Sequence, residues 1–285
     1  MREKTIDKKI MTYGSVTLIL TVMAIILRTV CLFNFYDAYI GYYKEGFLPS
    51  MLGAFLFISA LYFVSACFTV KNSVCCSNGR ENNVALGIAG LVAAMAFSYS
   101  FGSVIADLRS DSYWYVTVLA VMSVLAAAYF MLKLFNPKSN TAHALMGFAV
   151  IIYCLFAIII TYFDVFELLN GPNKIMVQMA LLSIALFMLA EIRAYADKPK
   201  RGYYVATLCT ATFFSGACSV PALIFYFASE FKNNYYIFHI VIAGVFLYMI
   251  VRLISFVLAS ANAGADEDTS EKPDADTEAV EVKDE

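Results

Sequence analysis

Apolar residues fall in eight runs separated by short hydrophilic connections, at 14–33, 50–70, 84–106, 114–135, 143–163, 175–194, 203–229 and 235–259. About 20 apolar residues, each rising 1.5 Å, cross roughly 30 Å of hydrocarbon, so each run predicts one membrane-crossing helix. The predicted fold is all-α: a polytopic membrane helix bundle of eight transmembrane helices over 14–259, with a hydrophilic N-terminus 1–13 before it and a tail 260–285 after it. The first run is longer than the apolar stretch of a secretory signal and lacks a small-x-small cleavage site, which predicts a retained helix. No outward connection is long enough to house a separate domain, so any chemistry is expected inside the bundle.

Composition removes the soluble alternative. Hydrophobic residues make up 61% of the chain and charged residues 15%, against about one quarter charged in ordinary soluble domains. The basic residues carry topology. The N-terminus, every second connection and the tail hold 4, 2, 2, 4 and 2 of the 20 Lys and Arg, span edges included, and the four intervening connections hold one each. Connections that retain Lys and Arg lie in the cytoplasm, which predicts both termini there and a multi-pass protein of a cytoplasmic membrane. The tail Ser260 to Glu285 has ten acidic residues, two Lys and no aromatic residue. It cannot bury enough apolar surface to offset its ordering entropy, and disorder is expected. It reads as a solubilising segment or as a docking segment for a basic protein partner.

The seven cysteines do not form a disulfide framework. Cys31, Cys67, Cys154, Cys209 and Cys218 fall in or near spans, where Cys acts as a small hydrophobe, and Cys75 and Cys76 sit in a connection assigned to the reducing side. Two adjacent Cys without a second pair or a nearby His lack zinc-ligand spacing, so no metal is expected. Zinc-protease, nucleophile-elbow and phosphate-loop motifs are also missing. With two His in the chain, His143 and His239, a histidine cluster within the membrane cannot form. No enzyme activity and no cofactor are expected, and nothing points to nucleic acid.

Matches at a separation near 120 residues suggest a duplication into two parallel four-helix repeats, 14–135 and 143–259, set against the ease with which apolar sequences match by chance. Phe35, Tyr36, Asp37 answers Tyr162, Phe163, Asp164. Pro49 answers Pro172, and Lys133, Leu134 answers Arg252, Leu253. In such an arrangement a pathway lies between the halves. Its candidates are Ser98 and Ser100 on helix three with Ser215, Ser219 and Pro221 on helix seven, weighed against plain close packing of small residues. Pro221 removes a backbone donor inside helix seven and frees carbonyl groups that could line a cavity.

Charges inside spans are functional candidates. Arg28, near the outer end of helix one, is expected to snorkel or to pair with Asp37, Asp164 or Glu167; binding a substrate anion is the sharper alternative. Arg252 on helix eight is expected to pair with Glu191 on helix six at the inner end. Aromatic residues crowd the outer ends of the helices, as interfacial belts do. His239 lies one turn into helix eight there, as a packing residue or a hydrogen-bond donor.

The turn Asn170, Gly171, Pro172, Asn173, Lys174 ends one helix with Gly and restarts the next with Pro in its first turn. Together with Glu191 and Arg193 at the far end of helix six, residues 160–230 resemble uncharacterised multi-pass membrane proteins of clostridial, Gram-positive bacteria. That resemblance implies a bacterial origin and no activity. Beyond the lipid bilayer as partner, two functions remain: a small-solute transporter or permease-like protein, and a non-transporting sensor or scaffold subunit acting through helix contacts and the acidic tail.

Overall fold

The computed structural model describes residues 2–37, 40–70, 84–108, 114–135, 141–164, 171–195, 200–229 and 236–270. They form eight long helices: α1 (Arg2–Asn34), α2 (Phe47–Thr69), α3 (Val84–Leu108), α4 (Trp114–Leu132), α5 (Thr141–Phe163), α6 (Pro172–Tyr195), α7 (Arg201–Ala228) and α8 (Tyr236–Ser270). All eight are long and apolar enough to cross a membrane. The chain is an integral membrane protein folded as an all-α bundle.

Two elements depart from expectation at their edges. Helix α8 continues to Ser270, so the predicted disorder does not begin at residue 260, and 271–285 lie outside the described residues. A helix already nucleated in the bundle extends without a new nucleation cost, and the alanines of 259–265 favour extension. Between α1 and α2, strands β1 (Tyr36–Asp37) and β2 (Tyr42–Tyr43) form a small antiparallel hairpin with Tyr36 opposite Tyr43. Gly41 turns it at φ 74, a left-handed conformation that glycine adopts without a Cβ clash.

Helices α3, α4, α5, α6, α7 and α8 pack in sequence order around a closed ring, with α8 returning to α3. Helix α1 lies against α7 and α8, and α2 covers α7 and α1 at the periphery. Helix α7 is therefore enclosed by four neighbours, and nearly every residue from Arg201 to Ser219 is buried. By contrast, α2 presents Phe57, Ile58, Leu61, Val64 and Phe68 outward, a surface that needs lipid rather than water around it. Gly216 permits one close approach: a Cβ there would stand 2.6 Å from the Phe246 ring and 2.7 Å from Thr21 Cγ2. Small residues of this kind let membrane helices pack backbone to backbone.

The packing does not repeat between 14–135 and 143–259. Helices α6 and α7 pack side by side, whereas their counterparts α2 and α3 share no comparable interface. The first four helices are divided, with α1 and α2 on one flank of α7 and α8, and α3 and α4 on the ring. Matching end residues reflect what every membrane helix needs at its interface, aromatic rings and basic groups, and such likeness does not dictate which helices become neighbours.

Candidate functional site

Helix α1 buries Thr17, Thr21, Ala24, Arg28 and Cys31, a stripe at three- and four-residue spacing that forms one helix face. Arg28 occupies a core position on that face and is fully buried. Its Nη1 donates to the carbonyl of Ala217 at 2.7 Å and to that of Cys218 at 2.9 Å, and its Nη2 donates to Asn173 Oδ1 at 3.0 Å. Pro221 explains the first bond. An α-helical carbonyl is paired with the N–H four residues on, and residue 221 has none, so Ala217 carries the carbonyl that Pro221 leaves open. A guanidinium from a neighbouring helix takes the place of the missing donor.

Neither Asp37 nor Asp164 is the partner of Arg28. Among the described residues no Asp or Glu pairs with Arg28. Asp37 accepts weakly from the Ile40 amide at 3.4 Å within the hairpin, and the Asp164 backbone carbonyl accepts from buried Lys174 Nζ at 2.8 Å. Glu167 lies outside the described residues. Arg28 is held a turn below the hairpin by carbonyl and amide oxygens, so it does not reach up to the acidic end. Tyr43 brings its phenol against the guanidinium, and burial pushes that phenol above the ordinary tyrosine range while Arg28 pulls it partly back.

One turn above Arg28 a small cleft opens between α1, α6, α7 and α8. Leu32, Tyr36, Asn173, Tyr226, Tyr236 and His239 contribute to its wall. Tyr226 and Tyr236 stack at 4.0 Å between ring centroids with a 20° tilt. His239 is 3% exposed, with its Nδ1 3.7 Å from Cys218 Sγ and its Nε2 without any partner. An orphaned buried ring nitrogen costs about 1–3 kcal/mol, so its presence at a cleft points to a missing neighbour.

The opposite end of the bundle holds a second buried charge cluster. Glu191 of α6 is fully buried, and its Oε1 accepts from Lys133 Nζ at 3.0 Å and from Tyr248 at 2.7 Å. Arg252 Nη2 lies 3.8 Å from the same oxygen, and its Nε donates to the Tyr204 hydroxyl at 3.0 Å. Lys133 also stands over the Tyr129 ring, 4.8 Å from its centroid. Arg252 and Glu191 are thus together, and Lys133 from the end of α4, Tyr204 of α7 and Tyr248 of α8 join them. Charge in low dielectric persists when it is paired and hydrogen-bonded.

The proposed serine pathway does not assemble. Ser98 is exposed and bonds back to the carbonyl of Ala94, while Ser100 is buried against the Tyr153 hydroxyl at 2.8 Å. Ser215 bonds to the Ala211 carbonyl and Ser219 to that of Ser215 at 2.7 Å, both buried. Helices α3 and α7 are separated by α8 rather than facing each other. A small hydroxyl on a helix is readily satisfied by the carbonyl one turn back, so small polar residues need not face water. Pro221 alone of that group belongs to the cleft region, through the carbonyl it frees.

Sequence reasoning missed Asn173, Cys218 and the hairpin tyrosine Tyr43 as partners of Arg28. The one usable signal was Pro221, whose open carbonyl demands a donor from another element. Five cysteines are free thiols, and no cluster of metal-ligating residues occurs among the described residues; Cys75 and Cys76 lie outside them. No protein-family model matches the chain, nor does any curated protein or solved structure.

Proposed function

We propose that the protein is a non-transporting sensor subunit of a bacterial cytoplasmic membrane, with both termini in the cytoplasm and the cleft facing outward to receive a small solute. The observation that carries this reading is the packing beneath the cleft, where Asn173 of its wall meets Arg28. Arg28 ties α1 to two carbonyls of α7 and to Asn173 of α6, and below it α7 runs through a packed core with its serines satisfied. A solute entering from above meets a cross-linked plug. Occupancy would act on α7 and α8, which supply much of the wall, and α8 continues from there to the acidic segment.

A permease is the second reading, favoured by one observation. Pro221 interrupts the hydrogen bonding of α7 beside the cleft, and a broken helix next to a solute site is a common hinge for alternating access. The two readings separate on flux. Thermal unfolding in nanodiscs, across small acids, amines, sugars and aromatic solutes, should find compounds that raise the midpoint, and these should show no saturable uptake in proteoliposomes. Saturable uptake that Pro221→Ala abolishes would establish the permease instead.

A further inference from the structure

Burial along α7 stops at Pro221. Every residue at 211–219 is buried, whereas none at 222–228 is, and Ile224 and Phe227 are 44% and 74% exposed. A stretch with so few buried contacts separates from the fold at low cost. We propose that residues 222–228 form a lid over the cleft, hinged at Pro221, which opens to admit a solute to Asn173 and His239. This deepens the reading of the cleft as a solute site and rests on it.

The hinge bends without stranding a buried group. In an α-helix the carbonyls of Ala217 and Cys218 face the backbone nitrogens of residues 221 and 222, which lie at and beyond the bend. Pro221 has no N–H to lose, and its ring crowds the carbonyl one turn back, a common origin of helix kinks. Both carbonyls also accept from Arg28 Nη1, at 2.7 and 2.9 Å. That donor comes from α1 and is fully buried, so it stays in place when the lid moves. A buried carbonyl is costly only when it has no donor at all, and Arg28 supplies one with the lid in either position.

Aromatic rings hold the lid shut. Phe225 meets Phe33 and Tyr36 edge-on, at 5.3 and 5.9 Å between centroids, and Tyr226 stacks on Tyr236 at 4.0 Å. Ala222, Leu223, Phe225 and Tyr226 of the lid supply four of the nine residues that line the cleft, so moving them uncovers what lies behind. His239 lies on that wall, 3% exposed and with Nε2 unpartnered. Whichever tautomer the ring holds, water reaching that nitrogen satisfies it as donor or acceptor. The closed lid thus carries a cost that opening relieves. Beneath the hinge α7 stays packed, so the lid uncovers the cleft from one end and opens no path through the bundle.

Hydrogen–deuterium exchange and diethyl pyrocarbonate labelling test the lid, both in nanodiscs at fixed pH and read by mass spectrometry. Pro221→Ala adds an N–H at the hinge, and with it a helical bond that opening must break. It should slow amide exchange in 222–228 and acylation of His239 together, each by about fivefold or more, with exchange in 205–215 unchanged. Tyr226→Ala removes the stack on Tyr236 and should speed both by about twofold to tenfold, the factor that one aromatic pair carries. Should Pro221→Ala alter exchange at 205–215 as well, the Tyr226→Ala result decides. Exchange in 222–228 that ignores both substitutions, or that changes with no change at His239, would overturn the lid. A solute that raises the melting midpoint while the lid test fails leaves the solute site standing. A lid that passes while the wider screen finds no ligand sinks the solute reading alone.

Discussion

The two ends of the bundle each bury a guanidinium, and they solve the cost in opposite ways. At one end Arg252 shares Glu191 with Lys133 and Tyr248. At the other, Arg28 has no described carboxylate and is held by backbone carbonyls and an amide. In the first arrangement Lys133 and two residues of α8, Tyr248 and Arg252, converge on one oxygen of Glu191 while its Oε2 has no partner, and this end resembles a clasp. The second leaves Arg28 Nε and His239 Nε2 without partners, the latter on the wall of a cleft. Comparing them separates a charge that joins helices through a shared carboxylate from one that joins them through backbone and amide oxygens.

The clasp should give the largest effect. Glu191→Gln leaves Lys133 and Arg252 buried without that countercharge, and breaking a buried pair in this way costs about 3–5 kcal/mol. Thermal unfolding in nanodiscs should show a large drop in midpoint, partly recovered by adding Lys133→Met. A loss below about 1 kcal/mol would mean that the cluster is not a dry ion pair.

The Arg28 end should respond through Pro221. Arg28→Met strands the Ala217 carbonyl, which has no donor on its own helix, at about 1–3 kcal/mol for a buried group left unpaired. Pro221→Ala supplies the N–H that Ala217 lacks, so the double variant should be more stable than Arg28→Met alone. A double-mutant cycle measures that coupling, and strict additivity would sever the link between the two residues. The same substitution at Pro221 should rescue nothing in Glu191→Gln.

Packing between the two ends gives a smaller effect. Gly216→Ala drives a methyl into Phe246 and Thr21, and overpacking of this kind costs about 1–3 kcal/mol. The smallest change belongs to Ser98→Ala, an exposed site whose hydroxyl bonds its own helix, expected within about 0.5 kcal/mol. A functional defect from Ser98→Ala at unchanged stability would revive the serine pathway.

Arg252 and Glu191 could be matched from the sequence because both sit near the same ends of helices six and eight, and opposite charges within a membrane must find one another. In the sequence Lys133 reads as a topological charge and as the counterpart of Arg252, not as a buried partner of Glu191, since a basic residue at a span edge ordinarily faces the interface. Its burial against Glu191 depends on α4 and α6 meeting α8 there. Arg28 was legible as costly, but its partners were sought among acids. Backbone carbonyls do not show in a sequence unless a proline exposes them.

The sequence by itself determined eight crossings and the positions of the spans, because hydrocarbon imposes a length and a composition on each helix separately. Where the basic residues alternate, it also predicts which way the chain faces. Helix neighbours were left to the tertiary structure: lipid tails are as apolar as leucine, so hydrophobicity does not choose them. Close packing at glycines such as Gly216, and the need to satisfy buried groups, chose them instead. That choice separated α3 from α7 and brought Arg28 under Pro221's open carbonyl, leaving His239 with a nitrogen facing no partner.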